Sequence, residues 1–298
     1  MIQFKKLIID GNNLLHRAYW VSNRRDDENN LKYLYIFFNV LKSYINAFSP
    51  SEIIVCWDLH KDGGENFRKN ILESYKGTRK KEFNPYKHID HFVSLLSSLG
   101  VKQLFPKHGE ADDIMWWLCS EKYPNECILI SNDTDLLQLI REDLNGNIIF
   151  NPHKKTQINS VYLQTKYNVK DGNEYIIRKA LKGDIADNIP GIFKISSVKI
   201  KNVINILGKD FDLKKLEKSN ILNEEEFNIF KRNLDIMKLD KILSFKDEIE
   251  YYEEQLKQHV SINSELFEKK CKEINFKIKP IEWINAFNRK KNEYCFNF

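Results

Sequence analysis

Leu7-Ile8-Ile9-Asp10, close to the N-terminus, is a run of three apolar residues that ends in an acid. The same arrangement returns at Ile53-Ile54-Val55-Cys56-Trp57-Asp58 and at Ile128-Leu129-Ile130-Ser131-Asn132-Asp133. Gln103-Leu104-Phe105 is a further short apolar run, and Ile148-Ile149-Phe150 follows the turn Asn145-Gly146-Asn147. Short runs rich in β-branched residues and bounded by turn or charge signals predict strands. Between them, helical periodicity covers residues 32–48, 89–99, 112–121 and 135–140. Strand and helix in alternation predict an α/β fold with a mostly parallel central sheet flanked by helices. Beyond about residue 175 the pattern is helical, with breaks near Gly183, Pro190-Gly191 and Gly208. This change of period predicts an α/β unit over residues 1–180 and a helical unit over residues 181–298.

The 298 residues are 42% hydrophobic, 12% aromatic and 30% charged, enough for a sizeable core in a globular protein. No apolar run approaches the roughly 18 residues that cross a bilayer. The first strand begins too early to leave room for a signal peptide, so the expected compartment is the cytoplasm, with no membrane partner. Five cysteines (Cys56, Cys119, Cys127, Cys271 and Cys295) form no CxxC pair. This argues against a disulfide framework or a zinc site and agrees with a reducing compartment. The net charge is +5, with 38 Lys against 9 Arg, a bias that AT-rich coding would produce. Its distribution says more than its sum. Residues 61–88 carry eight basic side chains against four acidic ones, and residues 194–218 carry seven against three.

In a parallel sheet the C-terminal strand ends share one edge, and ligands bind there. Asp10, Asp58, Asp133 and Asp135 follow strands directly, and the strand at 103–105 leads into Gly109-Glu110-Ala111-Asp112-Asp113. Glu110 and Asp113, three apart at a helix start, share a face. Asp133 and Asp135, two apart in extended chain, point the same way. Asp184 and Asp187 form one more pair in Gly183-Asp184-Ile185-Ala186-Asp187-Asn188. Singly, an acid after a strand is ordinary loop vocabulary, and acids at 110–113 would complement a helix dipole. Convergence on one edge is what points to a site. Crowded carboxylates raise one another's pKa values, and divalent cations relieve this. Mg²⁺ or Mn²⁺ takes oxygen ligands, and two such ions about 4 Å apart activate water and stabilise the leaving oxygen of a phosphodiester.

Asp10-Gly11-Asn12-Asn13-Leu14-Leu15-His16-Arg17, Phe67-Arg68, Tyr75-Lys76-Gly77-Thr78-Arg79, Gly109-Glu110-Ala111-Asp112-Asp113, Ser131-Asn132-Asp133-Thr134-Asp135 and Gly183-Asp184-Ile185-Ala186-Asp187-Asn188-Ile189-Pro190-Gly191 occur in one order. In that order they resemble the 5′-nuclease family, which includes flap endonucleases and the 5′→3′ exonuclease domain of bacterial DNA polymerase I. The length, and Glu224-Glu225-Glu226-Phe227 through Lys231-Arg232-Asn233-Leu234, look most like the phage branch known as ribonuclease H. The motifs span residues 10 to about 235, while the C-terminal 60 residues match loosely.

The resemblance implies an enzyme of DNA replication that uses two or more Mg²⁺ ions, with Mn²⁺ as a substitute. It would cleave 5′ flaps and RNA primers on branched or nicked duplex DNA, leaving 5′-phosphates. Asp10, Asp58, Glu110, Asp112, Asp113, Asp133, Asp135, Asp184 and Asp187 would hold the ions directly or through water. Residues 67–87 would correspond to the family's helical arch, with Lys76 and Arg79 at the scissile phosphate and Tyr75 stacking on a base. Arg17, Arg68, Lys80 and Lys81 would add contacts to DNA. The second half would hold a helix–hairpin–helix-like module, in which the family's Gly-Ile-Gly is replaced here by Lys194-Ile195-Ser196. That departure bears on a monovalent-cation site and on close backbone approach. Lys194, Lys199 and Lys201 could contact phosphate there as point charges. The expected state is a monomer, with a single-strand-binding protein or sliding clamp as a replication partner. The acidic edge alone also fits a PIN-like endoribonuclease or a non-catalytic DNA-binding subunit. The basic segment at 61–88 and the helical half favour the structure-specific nuclease. Trp116-Trp117 read as core, and the acidic run from Asp247 to Glu254 as an exposed helix.

Overall fold

The computed structural model of the chain describes residues 6–22, 31–60, 64–77, 85–208 and 211–288. The central sheet holds β1 (Lys6–Asp10), β2 (Glu52–Cys56), β3 (Lys102–Leu104), β4 (Cys127–Ile130), β5 (Ile148–Asn151) and β6 (Thr156–Ile158). Their order is β3-β2-β1-β4-β5-β6. The first five strands are parallel, and only β6 pairs antiparallel. Ile9 stands opposite both Val55 and Ile130, so Asp10, Asp58 and Asp133 leave the sheet on one edge. The apolar runs of β1 and β4 are buried because helices cover both faces of the sheet.

Helices α1 (Gly11–Val21), α2 (Lys32–Phe48), α3 (Arg68–Ile71), α4 (Ile89–Ser98), α5 (Ala111–Trp117), α6 (Ser160–Tyr167) and α7 (Gly172–Lys182) belong to the first part of the chain. A two-residue-per-arm hairpin, β7 (Gly183–Asp184) with β8 (Ile189–Pro190), follows α7. Then come α8 (Ser197–Leu207), α9 (Leu213–Lys218), α10 (Glu224–Met237), α11 (Lys246–Lys257), α12 (Ser264–Glu273) and α13 (Pro280–Phe287). Residues 135–139, expected as helix, form a 3₁₀ segment. The edge strand β6 escaped the sequence pattern because Thr156-Gln157-Ile158 offers one apolar residue in three.

Three apolar clusters hold these elements. On one face of the sheet, Leu7 and Ile9 pack with Phe37, Phe38, Trp57 and Phe92, and α12 and α13 join through Phe267 and Trp283. On the other, Ile8 and Leu129 meet Ile114, Met115, Trp116 and Trp117 of α5, and α11 adds Tyr252 and Leu256. A third cluster joins Ile176, Ile177 and Leu181 of α7 to Val203 and Leu207 of α8 and to Phe230 and Leu234 of α10. The C-terminal helices α11 to α13, expected to extend the helical unit, therefore return to the sheet. Cys56, Cys119, Cys127 and Cys271 are free and buried. No described helix is long and apolar enough to cross a membrane.

Candidate metal centre

Asp10 ends β1 and caps α1, where the Asn13 N–H donates to its Oδ1 at 2.8 Å. Ser131, one residue past β4, donates its hydroxyl to Asp10 Oδ2 at 2.9 Å and accepts from the Asp133 N–H at 3.0 Å. That serine thus locks two acid-bearing strand ends together. Asp58 accepts from the Asn12 amide at 2.8 Å and from the Ala111 N–H at 2.7 Å, tying β2 to α1 and to the start of α5. Gly11 permits this close approach. A Cβ there would lie 2.7 Å from the Trp57 ring and 2.9 Å from the Cys56 carbonyl.

Asp112, Asp133 and Asp135 each present a carboxylate oxygen, and these oxygens lie within 4.8 Å of one another. The Asp135 N–H donates to Asp133 Oδ1 at 2.8 Å, so a turn, not extended chain, aims the pair. Burial, followed by repulsion from Asp58 and Asp133, pushes the Asp10 carboxyl up to about 7. Burial and the Asp135 charge push Asp133 up to about 6. Asp112 is also raised, by burial and by the charges of Asp133, Asp10, Asp135 and Asp58. Acids from four separate segments therefore share one field. An all-oxygen, multiply anionic donor set of this kind fits a hard divalent cation.

Glu110 and Asp113 share a face, as their spacing implies, and both meet Arg68. Asp113 is fully buried and takes both guanidinium nitrogens of Arg68, at 2.7 and 2.8 Å. It also accepts from the Glu110 N–H at 2.8 Å. Arg68 donates further to the Ile236 carbonyl at 2.8 Å, clamping α3 to α10. Asp113 as a metal ligand and Arg68 as a DNA contact are both corrected by this geometry: the two neutralise each other inside the protein. Tyr75 is likewise buried, donating its hydroxyl to Glu110 at 2.8 Å, and does not present a ring for base stacking.

The Glu110 carboxylate also pairs with the Lys76 ammonium. Burial would raise the acid, but Lys76 and Arg68 outweigh it and hold it at about 2. Lys76 itself adopts a left-handed backbone, φ +55, that disfavours a β-carbon by about 1–2 kcal/mol. Its N–H donates to the Asp187 carbonyl at 2.9 Å, so the hairpin helps to hold that conformation. Arg79, Lys80 and Lys81 lie outside the described residues.

Two residues outside the expected site support this edge. Glu248 of α11 is fully buried and departs from the expected exposed helix, on which Asp247, Glu250 and Glu254 are exposed. It accepts from the backbone N–H groups of Lys107, His108 and Gly109 and from the Tyr252 hydroxyl, at 2.5 to 3.3 Å. The loop before Glu110 is thereby pinned to the C-terminal region. Lys179, in the last turn of α7, pairs with Asp135 and with Asp184, the latter at 2.8 Å. Burial tends to raise Asp184, but Lys179 and the N–H groups of Ala186 and Asp187 lower it overall. Asp187 is buried beside Tyr75, whose phenol feels its charge.

In the helical half, Lys194 and Lys201 are exposed, whereas Lys199 is held by both oxygens of Glu226 at 2.6 Å. Lys199 is therefore corrected from a phosphate contact to an ion-pair partner. Lys194 takes φ +49, so the left-handed turn persists although a glycine is absent from it. Ser196 caps α8 by accepting from the Lys199 N–H at 3.1 Å. Arg17 on α1 donates to the Tyr44 hydroxyl at 3.2 Å.

Residues 5–168 match the family model described as 5′-3′ exonuclease, N-terminal resolvase-like domain. A 5′-3′ exonuclease of Mycoplasmopsis pulmonis is 30% identical over 278 residues, covering 89% of each chain. This chain belongs to the 5′-3′ exonuclease family. Among solved structures, a T5 protein co-crystallised with metal ions superposes with a TM-score of 0.60 at 20% identity, covering 94% of this chain and 99% of that one. The same T5 protein, a flap endonuclease, is known in complex with DNA and metal ions. The catalytic core of Rad2 in complex with DNA substrate gives 0.51 at 14% identity, covering 96% and 92%. At these identities the structural likeness establishes the fold.

Proposed function

We propose that this member of the family is a structure-specific 5′-nuclease. It would act on branched or nicked duplex DNA with a 5′ flap and on RNA–DNA primers, releasing 5′-phosphate products with Mg²⁺ as the resident ion. One observation carries the reading. Asp10, Asp112 and Asp133 come from separate segments to one sheet edge, where burial and acidic neighbours raise their pKa values, with Asp135 clustered against Asp112 and Asp133 and a positively charged Lys76 nearby. Asp10, Asp112 and Asp133 would hold one ion directly, Asp135 and Asp184 with Asp187 would serve a neighbouring one, and Asp58 would act through water. A divalent ion bound there supplies an activated water and neutralises phosphoryl oxygens. The relatives' exonuclease names and the T5 and Rad2 complexes with DNA support this choice of substrate.

The protein's own residues have distinct tasks. Ser131 and Asn12 fix the carboxylates of Asp10 and Asp58 in one orientation, so little rearrangement accompanies ion or substrate entry. Lys76, fixed by Glu110 and the Asp187 carbonyl, brings positive charge to the phosphoryl oxygens as they gain charge in the transition state. We assign the duplex to the unit around α8 to α10, through exposed Lys194 and Lys201. The test uses a labelled 5′-flap duplex, a nicked duplex and a single strand, each with Mg²⁺, Mn²⁺ or EDTA. Metal-dependent cutting of the flap in preference to the single strand is expected. Absence of cleavage with either ion would refute the nuclease reading.

A further inference from the structure

Lys179 occupies the place where two of the candidate ligands meet. Helix α7 ends at Gly183, whose φ of +74 folds the chain back so that Asp184 returns to the last helical turn. The Lys179 side chain is only 10% exposed, and its ammonium bridges Asp135 of the segment after β4 and Asp184 of the hairpin. Asp135 is also one of the three acids whose oxygens cluster within 4.8 Å. The ammonium thus stands on the boundary between the Asp112–Asp133 side of the site and the Asp184 side. It is a compact point charge with three donors, able to satisfy two carboxylates at once.

We propose that Lys179 is a built-in counter-ion that competes with a divalent cation for the Asp135–Asp184 pair. This rests on the metal-dependent reading above. An ion entering among Asp10, Asp112 and Asp133 leaves the lysine docked. An ion entering between Asp135 and Asp184 has to displace it, so the two sites fill in sequence and the second is the weaker. The lysine is tethered to its partners, and the apparent affinity for the second ion falls by the fraction of time the lysine is undocked. With docking about 90–99% of the time, the penalty is on the order of 10- to 100-fold.

Calorimetric titration of the metal-free, full-length protein with Mn²⁺ and with Mg²⁺ tests this without any activity readout. The wild type should bind in two steps. Lys179→Met should tighten the second step by about ten-fold or more and leave the first within about three-fold. Lys179→Arg, which keeps the charge, should not tighten it. A lysine with only a structural role would weaken both steps when removed. Should Lys179→Met fail to fold without metal, the wild type decides the matter. With ¹⁵N-labelled lysine, the Lys179 ammonium signal, assigned by its loss in Lys179→Arg, should move with the second ion and not the first. Two ions binding to the wild type with an unchanged second step in Lys179→Met, or with an unmoved lysine signal, would overturn the competition alone. A wild type that binds no divalent ion would overturn both this inference and the metal-dependent reading.

Discussion

Replacing Asp10 by Asn should stabilise the metal-free protein, and the gain should depend on pH in a defined way. Asp10 is 6% exposed, and its carboxyl is pushed from an ordinary 3.8 up to about 7 by burial and by its acidic neighbours. Above pH 7 the folded protein therefore carries an ionised group at a cost of at most about 4 kcal/mol. Because neighbouring acids titrate together, about 2 kcal/mol is the safer lower figure. The sign follows from proton counting. A raised pKa means the fold binds a proton that the unfolded chain has already lost, so stability falls as pH rises from about 4 to about 7 and then levels off. Asn carries no such proton, caps a helix as well as Asp does, and can still accept from the Asn13 N–H. In EDTA at pH 8, Asp10→Asn should raise the melting temperature by roughly 3–6 °C for a chain of this size. The gain should shrink towards zero near pH 4. Millimolar Mg²⁺ should reverse the order, since only the wild type gains binding energy from the ion. Thermal melts across pH 4–8, with and without metal, provide the assay. A variant that melts no higher than wild type in EDTA at pH 8, or whose advantage is flat with pH, would show that Asp10 is not a strained anion.

Lys76→Ala should slow single-turnover cleavage on the order of 10²-fold with little loss of affinity, and Lys76→Arg should recover only part, as quench-flow and binding assays would show. Equal losses of rate and affinity would make Lys76 a binding residue only. Raising salt should weaken duplex binding, and Lys194→Ala with Lys201→Ala should flatten the log–log slope by up to about 2. Adding Lys199→Ala should change that slope little, because Glu226 already holds this ammonium. Glu248→Ala should cost about 3 kcal/mol or more in denaturant unfolding, since it leaves three backbone N–H groups and a tyrosine hydroxyl without their buried acceptor. A loss below about 1 kcal/mol would mean the 107–109 loop is held by other contacts.

The parallel sheet and its acidic edge were legible because both depend on short-range pattern. An apolar run ending in Asp is visible in Leu7-Ile8-Ile9-Asp10, and parallel topology then brings distant ends together without further information. What could not be read was the direction in which each acid faces. Asp112 and Asp113 are adjacent on α5, so they point about 100° apart, and only the packing of that helix decides which meets Asp133 and which meets Arg68. Arg68 and Tyr75 fell in a basic segment and carried a surface expectation, but their partners, Asp113, Glu110 and Ile236, lie far along the chain. The same long range hid Glu248, some 140 residues from the loop it holds. Lys179 left one faint trace, a lysine five positions before Asp184, with no periodic signal to separate it from its neighbours.

The acids of this protein divide by how their charge is met, and that division is more informative than their number. Asp113 is met by a bidentate arginine, and Glu110 by Lys76, Arg68 and a tyrosine, so its carboxyl falls to about 2. Asp184 is lowered by Lys179 and by backbone N–H groups. In all three the protein supplies the compensating positive charge from its own chain, and a metal ion would find that charge already in place. Burial still raises Asp113 despite that arginine, but Asp10, Asp112 and Asp133 are raised by burial and by repulsion from neighbouring acids together, beyond what their hydrogen bonds return. A divalent cation has most to gain where the fold has left the anions most strained, which is the reason for proposing the first ion among those three. Asp135 belongs to both groups, close to Asp112 and Asp133 yet paired with Lys179. On the competition proposed above, a second ion contends with a lysine, and the order in which the centre fills would follow from that single shared carboxylate.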